Sequence, residues 1–412
     1  MPHGAVARDL RLLLVVQALR AFAYGAGSVL IGSALAASGR SGLQAGAVFA
    51  AMLAGSSVAS LLVGLRAERV GRRRLYRSLL ALMGAAGATF ALTEATPLLL
   101  LAALTGTLST DPNESGPITS LEQAMIAEAP RAARIRTFGR YNAVAYLAGA
   151  AGSLLAGVPA ALREADPAVP PDRWWLLLFP VVAAASVGVA GRLSPRVEAS
   201  GSPAGAARPL GSSRSTVARL ASLFALDAFA GGFVVQAFLA YWLRRRYGVG
   251  ADALGPVFSA AGLLQAASSL AAARLGGRFG LLRTMVLTHL PSNGLLALVP
   301  LAPTYGWAVA LLLARSTLSQ MDVPTRQAYL AALVPSGERT AAAAFTNTAR
   351  SLARPAGPLL AGWLMRTFGV GAPLLAAGGL KTVYDALLWL SFRGVRLPEE
   401  PLVPPAARPG PG

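Results

Sequence analysis

The sequence predicts an all-α polytopic membrane protein: twelve transmembrane helices in two pseudo-symmetric six-helix bundles. Composition, the spacing of apolar runs and an internal repeat carry this expectation. Of 412 residues, 54% are hydrophobic and 13% charged, against about 25% charged in a soluble globular chain. At ~20 apolar residues per span, such a stock supplies about a dozen spans joined by short connections. A soluble enzyme, a disordered chain and a secreted disulfide scaffold are excluded, the last because the chain has no cysteine.

Apolar runs bounded by breakers place spans near 11–37, 43–65, 75–93, 97–121, 137–160 and 174–193. A second set follows near 217–243, 251–272, 281–301, 304–332, 340–365 and 370–393. The N-terminal bundle is therefore assigned to 1–193 and the C-terminal bundle to 217–395. Residues 194–216 form a Pro-, Gly-, Ser- and Arg-rich cytoplasmic linker, and 396–412 a Pro-rich disordered tail. Arg20 interrupts the first apolar run and no small-residue cleavage site follows it, so no removable signal peptide is expected.

A net charge of +19 would suggest nucleic acid in a soluble chain, but the arginines fall between spans. Arg66, Arg69, Arg72, Arg73, Arg74 and Arg77 lie between spans 2 and 3, and Arg131, Arg134, Arg136 and Arg140 between 4 and 5. The linker and the 8–9 connection are also arginine-rich, while the alternate connections are nearly bare. The positive-inside rule then puts both termini in the cytoplasm of a multi-pass cell-membrane protein. Arg244, Arg245 and Arg246 break the pattern, either by snorkelling to headgroups or as an external gate.

The repeat holds one register over long distance. Arg69-Val70-Gly71-Arg72-Arg73 returns as Arg274-Leu275-Gly276-Gly277-Arg278, and 274 − 69 = 205. The same offset pairs Gly152 with Gly357 and Leu154-Leu155-Ala156-Gly157 with Leu359-Leu360-Ala361-Gly362. Upstream, Ala18 to Gly25 matches Ala225 to Gly232 at an offset of 207. Two parallel halves around a midplane site is a plan used by transporters.

At Gly64-Leu65-Arg66-Ala67-Glu68-Arg69-Val70-Gly71-Arg72-Arg73 the chain resembles the 2–3 signature loop of the major facilitator superfamily, with Glu68 where that family usually has Asp. The resemblance covers about residues 10–395 and implies a permease that rocks one half against the other. It also implies gating roles for Glu68, Arg69 and Arg73, with the copy at Arg274, Gly276 and Arg278 as the second motif. Topogenic arginines are the alternative for the whole cluster, and the expected reading for Arg72, Arg74 and Arg77. The antiporter signature of span 5 is incomplete, since Ser153 follows Gly149-Ala150-Ala151-Gly152 where Pro would stand.

Intramembrane charge is costly and marks candidate sites. Arg20 and Asp227 occupy equivalent places in spans 1 and 7 and are expected to pair across the midplane, to bind the two poles of a substrate, or to be satisfied within their own halves. Span 4 is broken by Asp111-Pro112-Asn113-Glu114-Ser115-Gly116-Pro117, and Asp111 and Glu114, read as sharing a face, are candidate proton carriers. Span 10 carries Arg315, Asp322 and Arg326; Asp322 and Arg326 are four apart and can pair locally. Arg354 of span 11 is a candidate anion contact, while Arg350 is expected to snorkel. His289, with no partner visible in the sequence, is expected to hold a hydrogen-bonded structural role, with proton shuttling as the alternative, and Lys381 with Asp385 reads as a self-neutralising pair.

The expected function is secondary active transport of a small polar or amphipathic solute by alternating access, as proton-coupled efflux. The alternative is an importer or uniporter of an anionic solute; from another class, a non-transporting receptor or assembly factor on the same fold. The expected partners are the solute, protons and the lipid bilayer, with no nucleic acid and a monomeric state. No enzymatic, cofactor or metal constellation is present: histidine occurs twice, cysteine not at all, and no phosphate-cradling loop is found.

Overall fold

A computed structural model describes residues 2–113, 116–128, 131–198, 210–211 and 213–395. The predicted tail at 396–412, and most of the linker, lie outside them. Every pass is helical. The first bundle comprises α1 (Pro2–Ala37), α2 (Gly42–Val70), α3 (Arg72–Leu92), α4 (Thr96–Leu104) with α5 (Pro117–Ala127), α6 (Arg131–Leu155), a short α7 (Val158–Ala165) and α8 (Leu178–Ala190). The second comprises α9 (Arg214–Gly232) with α10 (Gln236–Tyr247), α11 (Ala251–Phe279), α12 (Leu281–Leu298), α13 (Tyr305–Ser316) with α14 (Asp322–Leu333), α15 (Arg339–Ala353) with α16 (Ala356–Phe368), and α17 (Ala372–Phe392). Pairing each interrupted helix with its continuation gives twelve passes in two sets of six. Eight described helical stretches are long and apolar enough to cross a membrane unaided; passes 4, 10 and 11 are interrupted, and pass 12 carries Lys381 and Asp385.

The interruptions follow local chemistry. Pro117 starts α5 at a position where its missing N–H costs nothing. Pass 7 breaks after Gly231-Gly232, where helix propensity is lowest and Val235 turns extended. Pass 11 bends at Arg354-Pro355, because the proline ring removes a helix hydrogen bond. Asp111 lies in the non-helical connection of pass 4; Glu114, with which it is expected to share a helix face, lies outside the described residues.

The connections between passes 2 and 3 and between 8 and 9 are single residues, not loops. Gly71 joins α2 to α3 with φ 93, and Gly280 joins α11 to α12 with φ 85, a backbone region open to glycine and closed to other side chains. The second motif copy is thereby corrected: Arg274, Gly276 and Arg278 lie inside α11, because two mid-helix glycines cost only about 1 kcal/mol each.

Glycine contacts display the repeat in three dimensions. Gly152 of α6 packs on the carbonyl of Phe22 in α1, and Gly357 of α16 packs on that of Phe229 in α9; both partners match through the sequence offsets. Between the bundles, Gly32 meets the backbone of Ala237, Gly46 that of Pro358, and Gly362 that of Gly42. These close approaches lie at the end of the molecule away from Gly71, so the halves are sealed there. Gly362→Leu is expected to force this seam apart, with an overpacking cost of about 1–3 kcal/mol. A Ser28→Cys reporter, fully buried at the seam, should then become accessible to an impermeant maleimide; unchanged protection would contradict the packing argument.

Candidate functional site

Arg20 does not reach Asp227. It is 2% exposed and pairs with Glu122 of α5 in its own bundle, Nη2 to Oε2 2.5 Å. Tyr76 donates its hydroxyl hydrogen to Glu122 Oε1 at 2.7 Å, Tyr141 donates to Oε2, and Gln17 accepts from Arg20. Arg20 also donates to Tyr141 at 3.0 Å and lies over the Tyr24 ring at 5.2 Å. Each bundle thus neutralises its own central charge, because a counter-ion within hydrogen-bond distance in the same bundle beats a more distant partner across the seam in a low-dielectric interior. Glu122 stands in the sequence beside Gln123 after a proline-broken helix, which was a signal for it; the two tyrosines carry none.

Asp227 is the hub of the second bundle. Its Oδ1 is 2.6 Å from Lys381 Nζ, and its Oδ2 is 3.0 Å from Arg350 and 3.4 Å from Arg326. Arg326 also pairs with Asp322 at 2.8 Å, as the four-residue spacing predicted. Lys381 therefore leaves Asp385, one helical turn away, and the self-neutralising pair is corrected. Asp385 instead faces His289 Nδ1 at 2.9 Å and accepts from Asn293 at 2.7 Å. Arg350 does not snorkel; it reaches inward to Asp227. Passes 7, 9, 10, 11 and 12 meet here, a convergence that no sequence spacing encodes.

A third group joins the halves. Asp111 Oδ2 accepts from Arg354 at 2.5 Å, and its Oδ1 accepts from the backbone N–H of Gln236 at 2.8 Å. The Ala237 N–H donates to the Thr110 carbonyl at 3.0 Å. The break in pass 4 thus caps the second half of pass 7, and the bends of passes 7 and 11 converge on one carboxylate. Nearer the sealed end, Arg244 spans the seam to Ser33 at 2.6 Å and to Asp172 at 3.5 Å, whereas Arg245 and Arg246 are exposed.

Arg315 differs from all of these. Its side chain has no ion pair or hydrogen bond among the described residues, and its Nε is buried and unsatisfied. The carboxylates acting on it are Asp322, Asp111 and Asp227, drawn from both halves.

At the 2–3 joint, Glu68 is 70% exposed and only 3.9 Å from Arg72. The N-terminus of α3 is instead capped by Glu198 of the linker, which accepts from the Arg72 N–H at 2.6 Å and the Arg73 N–H at 3.2 Å. Arg72, expected to be only topogenic, is buried and pairs with Glu128 at 2.8 Å. Arg69, Arg74, Arg274 and Arg278 are exposed. Glu198→Ala should cost about 0.5–2 kcal/mol by uncapping α3, read as a lowered thermal midpoint in detergent; an unchanged midpoint would mean that water caps the helix equally well.

Two six-pass helical bundles with charges inside the apolar passes form a polytopic membrane architecture of the kind transporters use. The Major Facilitator Superfamily family model matches residues 220–411. The "Uncharacterized membrane protein YJR124C" of Saccharomyces cerevisiae is 26% identical over 424 residues, covering 94% of this chain and 95% of that protein. Among solved structures, the nucleoside transporter NupG superposes with a TM-score of 0.75 at 13% identity, covering 93% of this chain and 99% of that one. A D-xylose-proton symporter gives a TM-score of 0.68 at 17% identity, covering 92% and 97%. An occupied, inward-facing bacterial homologue of the human lysosomal transporter Spinster gives 0.71 at 16%, covering 93% and 96%. Over its second half the chain is similar to the Major Facilitator Superfamily, and along nearly its whole length it shares the fold of these solved transporters.

Proposed function

We propose that the protein is a monomeric, proton-coupled secondary transporter of the cell membrane for a small solute bearing an anionic group, and that Arg315 receives that group. The unpartnered Arg315 carries this reading. An ionised side chain at bilayer depth costs at least about 2.5–3.5 kcal/mol, and its neighbours within the described residues already have cations of their own. A carboxylate, phosphate or sulfonate would complete it with charge-assisted, bidentate hydrogen bonds. With both termini cytoplasmic, the sealed end is extracellular and the described conformation faces inward.

The reading is tested by thermal stabilisation of the purified protein with carboxylates, phosphates and sulfonates, each beside its uncharged amide or ester. A binding anion at a hundred times its Kd should stabilise by about 2.7 kcal/mol, and Arg315→Gln should remove this. Equal stabilisation by an uncharged analogue, or an undiminished effect in the variant, would sink the anion reading. Counterflow in proteoliposomes separates a carrier from a receptor, since a receptor binds without exchanging.

A further inference from the structure

We propose that His289 is a proton-binding site in the lateral wall of the second bundle, and that proton and anion bind the protein cooperatively. The inference rests on the anion reading of Arg315 and adds to it the residue that couples the proton.

His289 is 4% exposed on α12. Its Nδ1 lies 2.9 Å from Asp385 Oδ1, so the ring nitrogen bearing hydrogen in the neutral form is assigned to that side. The remaining nitrogen, Nε2, then carries the lone pair and lies 4.0 Å from Asp227 Oδ1. A neutral ring nitrogen this close to a carboxylate gains nothing from it, and a proton on Nε2 converts the approach into attraction between a cation and an anion. The imidazole is thus held between two carboxylates, one on α17 and one on α9, with the Tyr384 ring edge-on at 5.9 Å.

The surrounding charges fix the consequence. From α17 come Lys381 and Asp385, from α9 Asp227, from α14 Asp322 and Arg326, and from α15 Arg350; Asn293 of α12 itself holds Asp385. No ionisable side chain of α11 or α13, which also pack on α12, is paired with His289 among the described residues. Asp227, Asp322 and Asp385 balance Lys381, Arg326 and Arg350 while the imidazole is neutral. A proton taken from water onto Nε2 leaves one excess positive charge. It also competes for the Asp227 carboxylate that Arg326 and Arg350 share, strengthening the positive field toward Arg315 on α13, which packs against α12. An anion at Arg315 and a proton on His289 therefore favour one another, and by linkage each raises the other's affinity by the same factor. Cooperative loading makes the cycle a symport, which under an inward proton gradient means uptake and not efflux.

The test is proton uptake by the full chain in weakly buffered detergent near neutral pH, read with an indicator dye as benzoate, methanesulfonate or sulfate is added. Wild type should take up a substantial fraction of one proton per bound anion. His289→Gln should take up none and bind the anion several-fold more weakly, about the lower end of common coupling factors. Asp385→Asn leaves the imidazole in place and should reduce the uptake, which keeps the proposal testable if His289→Gln does not fold. Anion binding without proton uptake, or uptake unchanged in both variants, overturns the inference and leaves the anion reading standing. Failure of all three anions to bind removes the anion reading, and the inference with it.

Discussion

Glu122→Ala is expected to destabilise the protein by about 3–5 kcal/mol, because it strips the counter-ion from a fully buried arginine. Arg20 is 2% exposed and Glu122 is 0% exposed, so water cannot screen the loss. Tyr76 and Tyr141 lose the acceptor of their hydroxyls in the same step, and a buried donor without a partner adds to the cost. The double variant Arg20→Met, Glu122→Leu removes both charges and should recover most of the stability, since apolar replacement of a buried pair is often neutral or stabilising. Thermal unfolding in one detergent measures both. A single variant within about 1 kcal/mol of wild type would mean that Arg20 is satisfied some other way.

Asp227→Asn is expected to have the largest effect on transport. Three cations, Lys381, Arg350 and Arg326, lie within 3.4 Å of the Asp227 carboxylate, and neutralising it leaves them mutually repulsive in a low-dielectric site. Stability should fall by about 3 kcal/mol or more, and counterflow should fall to background. Adding Lys381→Met removes the cation nearest the carboxylate and should restore folding in part. The exchange Arg20→Asp with Asp227→Arg should restore nothing, because each residue has its counter-ion within its own bundle. Recovery of transport by that exchange would contradict the arrangement of charges described above.

These variants mark where the sequence suffices. Hydropathy and the arginine-rich connections were enough for twelve passes, and the 205-residue register for two related halves, since both depend on composition along the chain. The local pair of Asp322 with Arg326 was equally legible, because helical spacing alone brings the two together. The pairing of Lys381 with Asp385 had the same spacing and failed. Asp227 on α9 offers Lys381 a carboxylate that spacing within α17 cannot reveal. Glu198 was invisible for a similar reason: a residue of the linker becomes a helix cap only once the chain returns to α3.

The sequence by itself determined that this is a two-bundle membrane protein with charge held inside its passes, because apolar length and inherited repetition are local properties. Tertiary structure decided which charges neutralise one another. Coulomb attraction and hydrogen bonding in a low-dielectric interior act over a few ångströms, and helix packing alone sets those distances. That selection leaves Arg315 without a protein partner among the described residues and sets His289 between two carboxylates, and both features were hidden in the order of the amino acids.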